Sequence, residues 1–217
     1  IVALRLAPGA PAGEIAAAAK RFVVSYLDHS RMDPRWHPLL ARLSGHPEVL
    51  TIIATDHYAE ATGMIIHNLA AWNIPAEGID RPVPARGGAS GLFPDHENPA
   101  GPLPPRPAIV ANSADIGAWK AEAGFWSRVK TRLPSDNLRT ILVIDDFGVN
   151  EEAADSYGGD PVQIAGRQER TRAGIREAFQ ADPEIIPFFR EGEPRYDDGA
   201  VTRLIEATAH RIEGVLG

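Results

Sequence analysis

Three short apolar runs constrain this chain more than anything else in it. Val49–Ala54 (VLTIIA), Ala108–Ala111 (AIVA) and Thr140–Ile144 (TILVI) are continuous, not alternating. A strand with one wet face alternates apolar and polar residues, whereas a strand covered on both faces need not. Each run therefore reads as a strand buried on both sides, as in a parallel sheet with helices over both faces. Around the runs the apolar spacing becomes helical. Ile15, Ala19, Phe22, Val23 and Tyr26 recur at helical intervals over 12–27, and Ile65, Ile66 and Leu69 mark a helix over 60–72. A short helix is expected over 33–43, and others over 115–133, 151–157, 167–180 and 199–216. A fourth short strand is expected over 161–165. Ile1 to Leu6 reads as a strand, or as the end of something that began earlier, and Pro8, Gly9 and Pro11 stop it.

Strands alternating with helices give the expected fold class: α/β, a three-layer Rossmann-like sandwich around a central, mostly parallel sheet. A length of 217 residues suits a single domain spanning 1–217. Residues 12–44 are expected to form a small helical cap or the first helices. Residues 80–107 hold eight prolines and four glycines, too little apolar surface for a core, and are expected to be a loop insertion.

Composition narrows the function classes. A net charge of -7 argues against a nucleic-acid partner, whose binders carry a basic face. The chain has no cysteine, which excludes disulfides, thiolate catalysis and Cys-based zinc sites. No apolar run approaches the roughly 18 residues that span a bilayer, so no membrane association is expected. No basic stretch followed by an apolar block opens the chain, so the default expectation is a cytoplasmic protein. The seven histidines show no i, i+4 pairing of a zinc helix. Neither a Gly-x-Ser-x-Gly elbow nor a Walker-type phosphate loop is present. The oligomeric state is not legible.

Parallel sheets bind ligands beyond the carboxyl ends of their strands. That rule points to Thr55-Asp56, Asn112-Ser113 and Asp145-Asp146. Taken singly, these residues have ordinary readings. Thr55 suits a turn or helix cap, Lys120 a solvated surface, and one of the Asp145-Asp146 pair a cap. Taken together they suit a phosphate and a divalent cation. The Thr55 hydroxyl and the Lys120 ammonium would orient phosphoryl oxygens. The carboxylates of Asp145 and Asp146 would hold Mg²⁺, a hard ion that prefers oxygen. Asp56 and His57, next along the chain, are candidate substrate contacts.

The segments IVANSADIGAWKAEAGFW and TILVIDDFGVNEEAADSYGG, with LTIIATDHYAEAT upstream, resemble the haloacid-dehalogenase (HAD) superfamily over roughly residues 45–165. The resemblance implies an α/β core of that family and a Mg²⁺-dependent hydrolase. A phosphatase is the expected activity, acting on a small-molecule phosphate ester or a larger phosphorylated substrate. It implies Thr55 as the phosphate-binding hydroxyl, Lys120 as the phosphate-binding lysine and Asp145 as a magnesium ligand. Asp146 and Glu151 are secondary acidic candidates. The family's first strand ends in Asp-x-Asp, the first aspartate being the nucleophile and the second the general acid/base. Here Arg5 and Ala7 stand at those places. Two explanations stay open. The chain is a catalytically silent relative serving as a binding or interaction module, or the strand bearing the pair lies upstream of Ile1.

Overall fold

The computed structural model describes residues 9–29, 31–79, 106–133, 138–150, 160–190 and 198–216. The expectations for Ile1–Leu6, for residues 80–105 and for 151–157, Glu151 included, lie outside them.

The described elements alternate as an α/β protein should. Helix α1 (Ala12–His29), a 3₁₀ turn (Pro34–Trp36) and α2 (His37–Gly45) precede β1 (Ile52–Thr55). Then come α3 (Glu60–Ala71), β2 (Ala76–Gly78), β3 (Ala108–Asn112), the short α4 (Ser113–Ile116) and α5 (Ala123–Arg132). β4 (Leu142–Asp145), α6 (Pro161–Phe179), β5 (Glu184–Pro187) and α7 (Asp198–Leu216) complete the order. All three apolar runs become strands, and every strand pairing is parallel.

The strands form two sheets, ordered β1-β3-β2 and β4-β5. Ile52 pairs with Ile109 and Thr55 with Asn112, while Leu142 pairs with Glu184 and Asp145 with Pro187. β3, flanked on both sides, is buried at every residue. β1 and β4, each paired on one side, are half-buried, and Ile144 is 37% exposed.

Alternate side chains of the strands enter different clusters, as the two-residue strand period requires. Ile109 and Ala111 meet Phe125, Trp126, Val129 and Ile175 of α5 and α6, and Ile52, Ala54, Ile141 and Val143 pack against the same cluster. That core is therefore shared by both sheets. Ala108 instead meets Leu69 and Ile74, with Ile53 packed alongside. Leu142 and Ile186 meet Leu39 of α2 and Ile212 of α7.

Two expectations are corrected, and two strands are added. The helix over 115–133 is two helices. Asn112 caps α4, and Gly117 at φ +77° ends it in the left-handed conformation that glycine adopts freely. The chain then turns through Lys120 before α5 begins. Residues 161–165 are not a strand but the first turns of α6. The Asp160 carboxylate accepts from Val162 N at 2.8 Å with Pro161 behind it, a helix start that outweighs the short apolar look of PVQIA. β2 and β5 were not expected. AEG has no strand signature, and EIIP is too short to be told from a turn between prolines. Among the described residues no helix is long and apolar enough to cross a membrane.

Candidate functional site

The carboxyl ends of β1, β3 and β4 converge on the turn between α4 and α5. Lys120 sits in that turn. Its backbone N–H donates to Asp56 Oδ1 at 2.9 Å, just beyond β1. Its ammonium reaches Asp145 Oδ2 at 2.8 Å, at the end of β4. Trp126 Nε1 donates to the Lys120 carbonyl at 2.7 Å, so an aromatic ring of the core pins the turn from below. One residue thus joins the edges of two sheets through its main chain and its side chain. Both members of the ion pair are mostly buried, at 14% and 16% side-chain exposure. A charge so placed must be paired or hydrogen-bonded to be tolerated.

The segment after β4 folds back on its own carboxylates. Asp145 Oδ1 accepts from Phe147 N at 2.8 Å, and Asp146 Oδ1 accepts from Gly148 N at 3.0 Å. Phe147 holds φ +51°, costly for a residue with a side chain, while its ring is 1% exposed. Burial of the ring holds the turn in that conformation, and Arg167 of α6 donates to the Phe147 carbonyl.

A second set of contacts surrounds Asn112, which is fully buried at the end of β3. Its Oδ1 accepts from Ala114 N at 3.2 Å and from His57 N at 3.4 Å. Its Nδ2 donates to the Tyr58 carbonyl at 2.8 Å and to Thr62 Oγ1 at 3.2 Å. Thr62 in turn donates to Asp115 Oδ2 at 2.6 Å. Asn112 therefore fastens the loop after β1, and with it Asp56, to the end of β3.

Asp56, Lys120 and Asp145, expected from sequence, are thus brought together. Thr55 ends β1 beside Asn112, half-buried. Asp146 adjoins Asp145 but caps its own turn. The His57 ring turns elsewhere. It lies 5.5 Å from the Tyr26 ring of α1 and 5.4 Å from that of Tyr58, and its Nδ1 accepts from Tyr58 N at 2.9 Å. Burial lowers the His57 pKa from its ordinary 6.5. A neutral ring with an acceptor Nδ1 fits that direction. Asn112, which the strand-end rule pointed to, was given no role, and Trp126 and Phe147 were not singled out as site residues. An asparagine closing an apolar strand was the available sign for the first. Nothing in the sequence marks the other two as more than core aromatics.

Among the described residues no group of three or more His, Asp or Glu side chains is placed to hold a metal by itself. Mg²⁺ asks for less, because it keeps several waters and takes one or two carboxylates with phosphate oxygens. Asp145 and Asp146, adjacent at a strand end, meet that minimum.

No protein-family model, curated protein or solved structure matches this chain. The arrangement of its own residues therefore carries the functional reading.

Proposed function

We propose that this chain is built on the haloacid-dehalogenase plan, a three-layer Rossmann-like sandwich, and that its carboxyl edge is a Mg²⁺-assisted site for hydrolysis of a phosphate ester in the cytoplasm. One observation carries the reading: Lys120 bridges Asp56 and Asp145, 64 and 25 residues away, at the shared end of two parallel sheets. A lysine there suits a phosphoryl oxygen, which would compete with Asp145 for the ammonium. The Thr55 hydroxyl is the second proposed phosphate contact. Asp145 and Asp146 would hold Mg²⁺, which supplies positive charge against the phosphate oxygens. His57 and Asp56 are proposed substrate contacts. The nucleophile is assigned to none of the described residues.

A second reading is a phosphate-binding module without turnover. It is favoured by the engagement of the edge carboxylates, each of which accepts a backbone N–H: Asp56 from Lys120, Asp145 from Phe147, Asp146 from Gly148. Such carboxylates shape loops and are poorly free to attack phosphorus.

The test is hydrolysis of an aryl phosphate by the full chain, with and without Mg²⁺, beside Asp145→Asn and Lys120→Ala. Metal-dependent turnover lost in Asp145→Asn supports the first reading, and turnover surviving both substitutions removes it. Without turnover, calorimetry with inorganic phosphate decides the second reading. Binding lost in Lys120→Ala supports it, and absence of binding removes it.

A further inference from the structure

Among the described residues, the exposed aromatic side chains are Phe22, Tyr26, Tyr58 and Trp119. They are not scattered. Phe22 and Tyr26, four residues apart on one face of α1, stack with ring centroids 6.3 Å apart. Tyr26 meets the Tyr58 ring edge-on at 6.1 Å and the His57 ring at 5.5 Å. The His57 and Tyr58 rings lie 5.4 Å apart. Tyr58 follows Asp56 by two residues, so their Cα atoms are within about 7 Å of one another. Asp56 in turn accepts from Lys120 N at 2.9 Å. A row of rings therefore starts at the carboxyl edge and continues along α1. Trp119, 58% exposed, directly precedes Lys120 in its turn.

The fold leaves these rings outside. α1 is anchored by Leu27, which is buried, while Phe22 and Tyr26 are 60% and 45% exposed. Tyr58 serves the fold through its main chain. Its carbonyl accepts from Asn112 Nδ2 and its N–H donates to His57 Nδ1, whereas its side chain is 47% exposed. Aromatic rings contribute most when buried, and a contiguous set at the surface marks a place where a ligand lands. Asn112 Oδ1 also accepts from His57 N. The rings and Asp56 therefore share one buried support, which fixes their relative positions.

Size and charge select the occupant. Phe22, Tyr26 and Tyr58 leave on the order of 300 Å² outside between them. A stable protein interface buries roughly 800 Å² per partner, and one planar group needs far less. The surface is uncharged near neutral pH, since burial lowers the His57 pKa from 6.5. A neutral aromatic surface beside a lysine suits a molecule with one anionic end and one planar end.

We propose that Tyr26, His57 and Tyr58 form a stacking platform for an aromatic phosphate monoester, whose phosphate lies at Lys120 and whose ring lies on the platform. The proposal rests on the phosphate reading of Lys120 and adds the substrate class. Two kinds of molecule carry that chemistry. An aryl phosphate bears its ring on the ester oxygen, and a nucleoside monophosphate bears it beyond a sugar.

Calorimetry with Mg²⁺ present tests this with two matched pairs of phosphonates, none of which can be hydrolysed as an ester. One pair is phenylphosphonate and methylphosphonate. The other is the methylenephosphonate analogues of adenosine 5′-monophosphate and ribose 5-phosphate. Within each pair the phosphoryl end is shared and the ring differs. We expect the ring-bearing member of at least one pair to bind about ten-fold more tightly. Tyr26→Ala and Tyr58→Ala should each reduce that gain to under about three-fold and leave the ringless probes binding as before. The pair that shows the gain tells whether a sugar separates ring from phosphorus. Equal affinity within both pairs, or a gain that survives both substitutions, overturns the platform and leaves the phosphate reading standing. If no probe binds, the phosphate reading fails and the platform falls with it. A dimer in sedimentation that Tyr26→Ala dissolves assigns the rings to a second copy and overturns the proposal too.

Discussion

The Lys120 ammonium lies 2.8 Å from Asp145 Oδ2, and this ion pair ties the loop after β3 to the end of β4. At 14% and 16% exposure it is shielded enough that losing one partner strands a charge in a poorly solvated place. Lys120→Ala should cost about 2–3 kcal/mol of unfolding free energy. The double change with Asp145→Asn should cost less than the two single changes summed, with a coupling of about 1–2 kcal/mol. Denaturant titration of the four proteins measures the cycle. Additivity to within about 0.3 kcal/mol would show the pair to be energetically idle.

Gly174 on α6 leaves room for Trp126. A Cβ built at Gly174 would stand 2.9 Å from Trp126 Cδ1 and 3.4 Å from Ala123 Cα, the latter main chain. Alanine is the better helix former by up to about 1 kcal/mol, so propensity alone predicts a gain. Packing should win. Gly174→Ala should destabilise by about 1–3 kcal/mol. Since Trp126 Nε1 holds the Lys120 carbonyl, tryptophan emission should shift with it. A more stable Gly174→Ala protein would mean that the helices separate at little cost.

Asn112 is a buried polar side chain whose amide supplies both a donor and an acceptor. Asn112→Ala removes the α4 cap and leaves the Tyr58 carbonyl without its partner, which should cost about 2–3 kcal/mol. Asn112→Asp keeps the acceptor for Ala114 N but sets a carboxylate oxygen against the Tyr58 carbonyl. It should be no better tolerated near neutral pH. Thermal unfolding compares the two, and a loss under about 0.5 kcal/mol for either would dismiss the hub described for this residue.

His57 should titrate below an exposed histidine, because burial opposes its charged form. The sign follows from proton binding. The unfolded chain takes up a proton at this ring near 6.5, before the folded chain does. Stability contributed by the neutral ring is full above that value and falls as pH drops through the folded pKa. Histidine resonances followed by NMR give the midpoint directly. A His57 midpoint at or above those of exposed histidines would contradict the buried, acceptor role of Nδ1.

The local pattern of this chain determined three of its five described strands and most of its described helices. VLTIIA, AIVA and TILVI need cover on both faces wherever they sit, so β1, β3 and β4 were legible as runs. The spacing over 12–27, 60–72 and 199–216 likewise marked α1, α3 and α7. What short-range pattern cannot carry is competition between neighbouring signals. Gly117 splits 115–133 by its left-handed turn, and the Asp160 cap turns PVQIA from strand to helix. β2 and β5 hold too few residues for a period to show, and become strands because β3 and β4 offer them an edge. The site divides in the same way. The rule that parallel sheets bind at their carboxyl ends pointed to Asp56, Asn112 and Asp145, and Lys120 was added to them as the lysine suited to a phosphate. That Lys120 joins Asp56 and Asp145 depends on Trp126 packing beneath its turn and Asn112 holding the loop after β1, contacts between residues far apart in the chain. Strand pairing and helix packing decide those contacts, because both act through surfaces that exist once the distant segments have met.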